Sequence, residues 1–145
     1  MTNDEFFMNE ALKEARSAAR EGEVPVGAVL VVDGQIIVRA HNQTERLADS
    51  TAHAEMVALT AGEAAVGSKV LKEMTLYVTL EPCTMCAGAI GLTHIGRLVY
   101  GASDPKGGFS VYAPLALHPK TQVESGVLGT ECGEILQDFF RKKRC

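Results

Sequence analysis

Four residues of three types, in two closely spaced pairs, give this chain its chemistry. His53-Ala54-Glu55 is followed by Pro82-Cys83-Thr84-Met85-Cys86. His53, Cys83 and Cys86 supply one imidazole and two sulfurs. That is three ligands of the kind that hold a catalytic zinc ion, whose fourth position takes water or substrate. Zinc draws the pKa of a bound water from about 15.7 toward about 7, so hydroxide is available at neutral pH. Glu55, two residues from the imidazole, is then free to take the water's proton. It can pass that proton on to a leaving group, so the expected reaction is a metal-assisted hydrolysis.

The same residues admit other readings. A lone Cys-x-x-Cys also serves as a redox pair. A closed structural zinc would need a fourth ligand, for which Cys132, Cys145, His41, His94 and His118 are the candidates. Cys132 reads better as a small buried hydrophobe, and His94 as a helix-end residue.

The elements must bring these groups together. Cys83 and Cys86, three apart in the first turn of a helix, would share a face, where the helix end favours thiolate over thiol. Pro82 suits that first turn. His53 and Glu55 diverge by about 200° on a helix, so His53 is expected at the very start of its helix. Asp49, Ser50 or Thr51 would cap that helix, which runs to about Ala65 and is apolar on most sides.

Upstream, Thr2 and Glu5 form a potential capping box. Met8, Leu12, Ala15 and Ala19 continue at helical spacing to a stop at Gly22. Val24 to Val32, Asp33-Gly34 and Gln35 to Val38 read as a hairpin. Strands are expected at Thr75–Leu80, Leu98–Gly101 and Thr121–Val127. A loop is expected at Asp104–Phe109, and Val111–Leu117 stays ambiguous. Gly88 and Gly91 predict close packing of the third helix. Cys132, Ile135, Leu136, Phe139 and Phe140 form one apolar face of a final helix. Together these predict a three-layer α/β/α fold, with a mixed five-stranded sheet opened by an antiparallel hairpin and helices on both faces.

The chain's 145 residues fit a single domain spanning residues 1–145. Its 46% hydrophobic and 22% charged residues exclude a disordered or fibrous chain. No apolar run reaches the roughly 20 residues of a membrane span. The acidic start and the pattern of four cysteines point to a cytoplasmic protein without a signal peptide. A net charge of −4 gives no global attraction to nucleic acid. Only Arg141-Lys142-Lys143-Arg144 is densely basic.

His-x-Glu followed by Pro-Cys-x-x-Cys resembles the signature of zinc deaminases. Beyond it, the chain resembles the tRNA-specific adenosine deaminases of the cytidine deaminase superfamily. The resemblance rests on Glu23-Val24-Pro25-Val26-Gly27-Ala28-Val29, His41-Asn42, Thr51 to Glu55, Leu76 to Cys83, Met85 to Ala89, and Asp138-Phe139-Phe140-Arg141. It implies a zinc-dependent homodimer that converts adenosine to inosine at the wobble position of a tRNA anticodon loop. It also implies zinc on His53, Cys83 and Cys86, proton transfer by Glu55, and a base contact from Asn42, otherwise a turn residue. Asp104 and Lys106 would meet flanking nucleotides or form a solvated turn. The chain departs from the family at Gly107-Gly108-Phe109-Ser110-Val111-Tyr112, where Phe109 or Tyr112 would stack a base or pack the core. The C-terminal basic run would hold phosphates or complement its helix. Two other functions stay open: a deaminase of a free base such as guanine or cytosine, and a zinc-stabilised RNA-binding subunit without catalysis.

Overall fold

The computed structural model describes residues 1–143; Arg144 of the basic run and Cys145 lie outside the described residues. The chain begins with α1 (Asn3–Arg20), whose capping box closes as the sequence predicts. Glu5 N–H donates to Thr2 Oγ1 at 3.1 Å, and Thr2 N–H to Glu5 Oε1 at 2.9 Å. Gly22 leaves the helix at φ +80°. Then come β1 (Gly27–Val32) and β2 (Gln35–His41), joined by Asp33 and Gly34 at φ 50° and 73°. Both left-handed angles are what a tight hairpin turn requires. β2 runs three residues beyond the expected Val38, because Gly27 to Leu30 continue to pair with Val38 to His41.

The remaining elements are α2 (Ala54–Val66), β3 (Thr75–Leu80), α3 (Thr84–Thr93), β4 (Arg97–Ala102), α4 (Phe109–Tyr112), β5 (Gln122–Ser125) and α5 (Gly129–Lys143). The sheet order is β2-β1-β3-β4-β5. β1 is antiparallel to β2 and β3, while β3, β4 and β5 run parallel. The expected mixed sheet is present.

Alternation along the strands divides the core. Ala28, Leu30, Leu76, Val78, Leu98 and Tyr100 pack on one face with Ala58, Leu59 and Ile90 of α2 and α3. Val29, Val31, Tyr77 and Val99 pack on the other with Phe7, Met8, Ala11 and Leu12 of α1 and with Cys132 of α5. Helices therefore cover both faces of the sheet. Gly27 permits the close approach of α1, since a Cβ there would overlap the carbonyl oxygen of Ala11.

Several expectations need correction. Asp49 does not cap α2; it accepts from the N–H and Oγ1 of Thr51 at 2.9 and 2.8 Å and closes a turn. The residue at the helix start is His53. Ala61, Ala64, Ala65 and Val66 face outward, so α2 is less enclosed than its composition implies. Alanine there serves helix propensity and not burial. Pro82 precedes α3, whose N-cap is Cys83. Gly91 packs against the Ala116 backbone, but Gly88 faces open space. The first strand starts at Gly27 because a turn from Val26 N–H to Val24 O, 2.9 Å, precedes it. β5 is an exposed edge strand, and of the predicted α5 face only Cys132 is fully buried.

Candidate active site

Two helix beginnings meet at one point. His53 is the N-cap of α2, with φ −69° and ψ 154°. Cys83 is the N-cap of α3, with φ −74° and ψ 174°. Extended backbone turns each side chain off its helix, and neither makes a capping hydrogen bond. Cys86 follows in the first turn of α3. The inferred position of His53 is observed, while the two cysteines converge as cap and first turn, not as neighbours on one helical face.

His53 Nδ1 lies 3.6 Å from Cys83 Sγ and 3.5 Å from Cys86 Sγ, and all three ligand atoms fall within 4.8 Å of one another. Zinc–sulfur and zinc–nitrogen bonds at the tetrahedral angle place sulfur and nitrogen about 3.6 Å apart. The donor set therefore fits zinc. Burial, then the neighbouring Glu55 and Cys83, push the Cys86 thiol far above its usual range. A divalent cation is what would turn that thiol into a ligand.

The cluster is half open. Among the described residues, no other group of histidine, cysteine or carboxylate side chains could hold a metal ion. Cys132 lies across the sheet. His41 is held by Glu14 at 3.0 Å and Glu21 at 3.1 Å. His94 and His118 stack on each other, ring centroids 4.3 Å apart.

Glu55 is buried beside the ligands, at 4% exposure. Burial raises its pKa to about 7, against a lowering by its own backbone N–H and by Cys86. Glu55 helps line a cavity of about 290 Å³, with Val24, Val26, Asn42, Thr44, His53, Ala54, Leu80, Glu81, Cys83 and Asp104. The apolar walls and few polar groups suit a small ring.

Asn42 reaches this cavity and also acts as a turn residue. Its Nδ2 donates to Val24 O and its Oδ1 accepts from Thr44 N–H, both at 3.3 Å. Asp104 lines the cavity while its Oδ1 accepts from the N–H groups of Lys106 and Gly107, each at 3.1 Å. Lys106 is exposed and does not line the cavity. Phe109 is core, edge-on to Tyr100, and Tyr112 is exposed. Sequence reasoning assigned no role to Thr44, Glu23 or Glu81. The sequence marks the two glutamates only by place, Glu23 shortly before the apolar run of β1 and Glu81 just after that of β3, and neither position reveals a partner.

An imidazole and two thiols converging beside a buried, protonatable carboxylate define a metal-dependent hydrolase on an α/β/α frame. The chain belongs to the cytidine and deoxycytidylate deaminase family, whose zinc-binding region matches residues 1–102. It is 50% identical over 149 aligned residues to a tRNA-specific adenosine deaminase of Bacillus subtilis, covering 99% of this chain and 92% of that protein. It is 48% identical to one of Agrobacterium fabrum, covering 99% and 98%. A solved structure from a study of A-to-I editing by tRNA:A34 deaminases at the wobble position superposes with a TM-score of 0.84. That match is at 49% identity and covers 90% of this chain and 99% of the other.

Proposed function

We propose that this chain hydrolyses adenosine to inosine at the wobble position of a tRNA anticodon loop, acting in the cytoplasm as a homodimer of single-domain subunits. The observation that carries the reading is the half-open ligand set of His53, Cys83 and Cys86 with Glu55 buried beside it. Similarity over nearly the whole chain to proteins named for this reaction supports the substrate. Free thiols at Cys83, Cys86 and Cys132 suit a reducing compartment. No helix among the described residues is long and apolar enough to cross a membrane. Leu92, Leu115 and Tyr112, exposed at 80%, 93% and 64%, supply apolar surface for self-association.

In this reading His53, Cys83 and Cys86 hold zinc, which supplies Lewis acidity and brings a water's pKa toward neutrality. Glu55 carries two protons in turn: its carboxylate takes the first from the attacking water and gives it to the purine ring nitrogen, then takes the second from the hydroxyl group so formed on the ring carbon and delivers it to the amine, which leaves as ammonia. Asn42 presents its amide to the base from the cavity wall. Asp104 and Lys106 meet the nucleotides on either side, Lys106 from the exposed rim. Val24, Val26 and Leu80 enclose the ring and exclude bulk water. A binding-only subunit would have no use for a carboxyl group buried at this spot.

The test is product mass analysis of an anticodon stem-loop carrying adenosine at the wobble position, beside free guanine, cytosine and adenosine. Inosine in the stem-loop is the expected product. Turnover confined to the free compounds would replace this reading with a free-base deaminase.

A further inference from the structure

Glu23 and Glu81 flank the cavity and take no part in the chemistry above. Glu23 is fully buried and Glu81 is 3% exposed. Glu23 stands before β1 and Glu81 follows β3; because these strands are antiparallel neighbours, both glutamates lie at the same end of the sheet. Their charges are met by backbone amides of two loops. Glu23 Oε1 accepts from Glu45 N–H at 3.0 Å and from Thr44 Oγ1 at 3.5 Å, and its Oε2 accepts from Arg46 N–H at 2.7 Å. Glu81 Oε1 accepts from Asp104 N–H at 2.9 Å, and its Oε2 from Ser110 N–H at 3.0 Å.

We propose that Glu23 and Glu81 are positioning residues, a pair of buried carboxylates that fix loops 42–46 and 104–110 at a set distance from the zinc ligands. Each uses both oxygens on one loop, and each loop carries residues assigned to the substrate, Asn42 on one and Asp104 and Lys106 on the other. The assignment of those residues rests on the function proposed above. Glu81 also couples its loop to a ligand. Two residues beyond it Cys83 pairs with Gly108, and Phe109 N–H donates to Pro82 O at 2.9 Å. Gly108 has no room for a side chain, since a Cβ would overlap the Glu81 carboxyl group. Its φ of −71° suits any residue, so the glycine answers to crowding by the carboxylate and by the Asp104 carbonyl oxygen. Glutamine cannot substitute. Its amide offers one acceptor oxygen and turns an NH₂ donor toward a second N–H, which leaves one loop anchor broken in either orientation.

The experiment compares wild type, E23Q, E81Q and G108A by zinc content, by amide hydrogen exchange and by steady-state kinetics on the anticodon stem-loop. With zinc content unchanged, E81Q is expected to lose more than three-fold protection at Asp104 and Ser110 but not at Glu45 and Arg46. E23Q is expected to show the reverse. KM on the stem-loop should rise more than three-fold in both, with kcat changed by less. G108A crowds the carboxylate and the Asp104 carbonyl oxygen together and should loosen the same loop; if E81Q does not fold, E23Q and its effect on loop 42–46 decide the matter. Unchanged protection in the partnered loop, equal loss in both loops, or a kcat change exceeding the KM change overturns the proposal. A wild type inactive on the stem-loop would refute the proposed substrate instead, and the amide measurements would still decide the role of these glutamates.

Discussion

Glu55 carries a charge that its surroundings make costly, and that is why it can move a proton. Its burial beside the cysteines disfavours the carboxylate, so gaining and losing a proton differ little in free energy near neutrality. Glu55→Gln keeps the shape and removes this capacity. Zinc content should stay at one ion per chain while kcat on the stem-loop falls by about 10²–10⁴. Metal analysis beside inosine yield checks it, and substantial turnover by the zinc-loaded variant would remove Glu55 from the reaction. The convergence of His53, Cys83 and Cys86 was legible in the sequence because few residue types bind zinc and their spacing is short. Glu23 and Glu81 were not. Their partners are main-chain amides more than 20 residues away, and main-chain amides leave no trace in residue type. Lys106 falls in the loop expected at Asp104–Phe109 and is exposed, and which way a loop side chain faces depends on packing that no local pattern encodes.

Element by element, strand alternation and helical spacing carried most of the fold, and errors gathered at helix starts. A cap is decided by which residue turns extended, and at α2 the demand for a ligand on His53 prevails over the better capping side chains of Asp49, Ser50 and Thr51. The join between α1 and β2 has a pH dependence of its own. His41, beside Asn42, bridges Glu14 and Glu21 of the first helix region, with Arg46 also 3.9 Å from Glu21. Burial lowers the His41 pKa, but the hydrogen bonds to both glutamates outweigh it and raise the value above 6.5. A raised folded-state pKa gives stability that is fully present below the unfolded value and is lost as pH rises through the folded one. His41→Gln should therefore cost about 1–2 kcal/mol at pH 6. Its gap from wild type should narrow toward pH 9 in urea midpoints; a widening gap would refute the charged bridge. Gly27→Ala tests the neighbouring join, between α1 and β1. Overlap with Ala11 should cost about 1–3 kcal/mol with zinc content unchanged.

For the molecule as a whole, the ligand set does more than chemistry, because it ties the N-termini of α2 and α3 together over the end of the sheet. The imidazole comes from one helix and both sulfurs from the other, so unfolding either helix dismantles the site. Zinc that binds only the folded chain then stabilises it by mass action, about 4 kcal/mol when free zinc is 1,000 times its dissociation constant. For a chain of this length each kcal/mol moves Tm by about 3 °C. Removing zinc should therefore lower Tm by about 12 °C under those conditions, and adding it back should restore the loss. Cys86→Ser supplies the control: its Tm should begin near that of the stripped wild type and stay insensitive to chelator. Fold and site meet in this number. The hydrophobic clusters on both sheet faces contain none of the three ligands, so the stripped chain should still melt cooperatively. Exchange should rise first at the beginnings of α2 and α3 and in loops 42–46 and 104–110. A stripped protein with unchanged Tm would mean that the two helices are held together without the ion, and the coupling between site and fold would have to be abandoned.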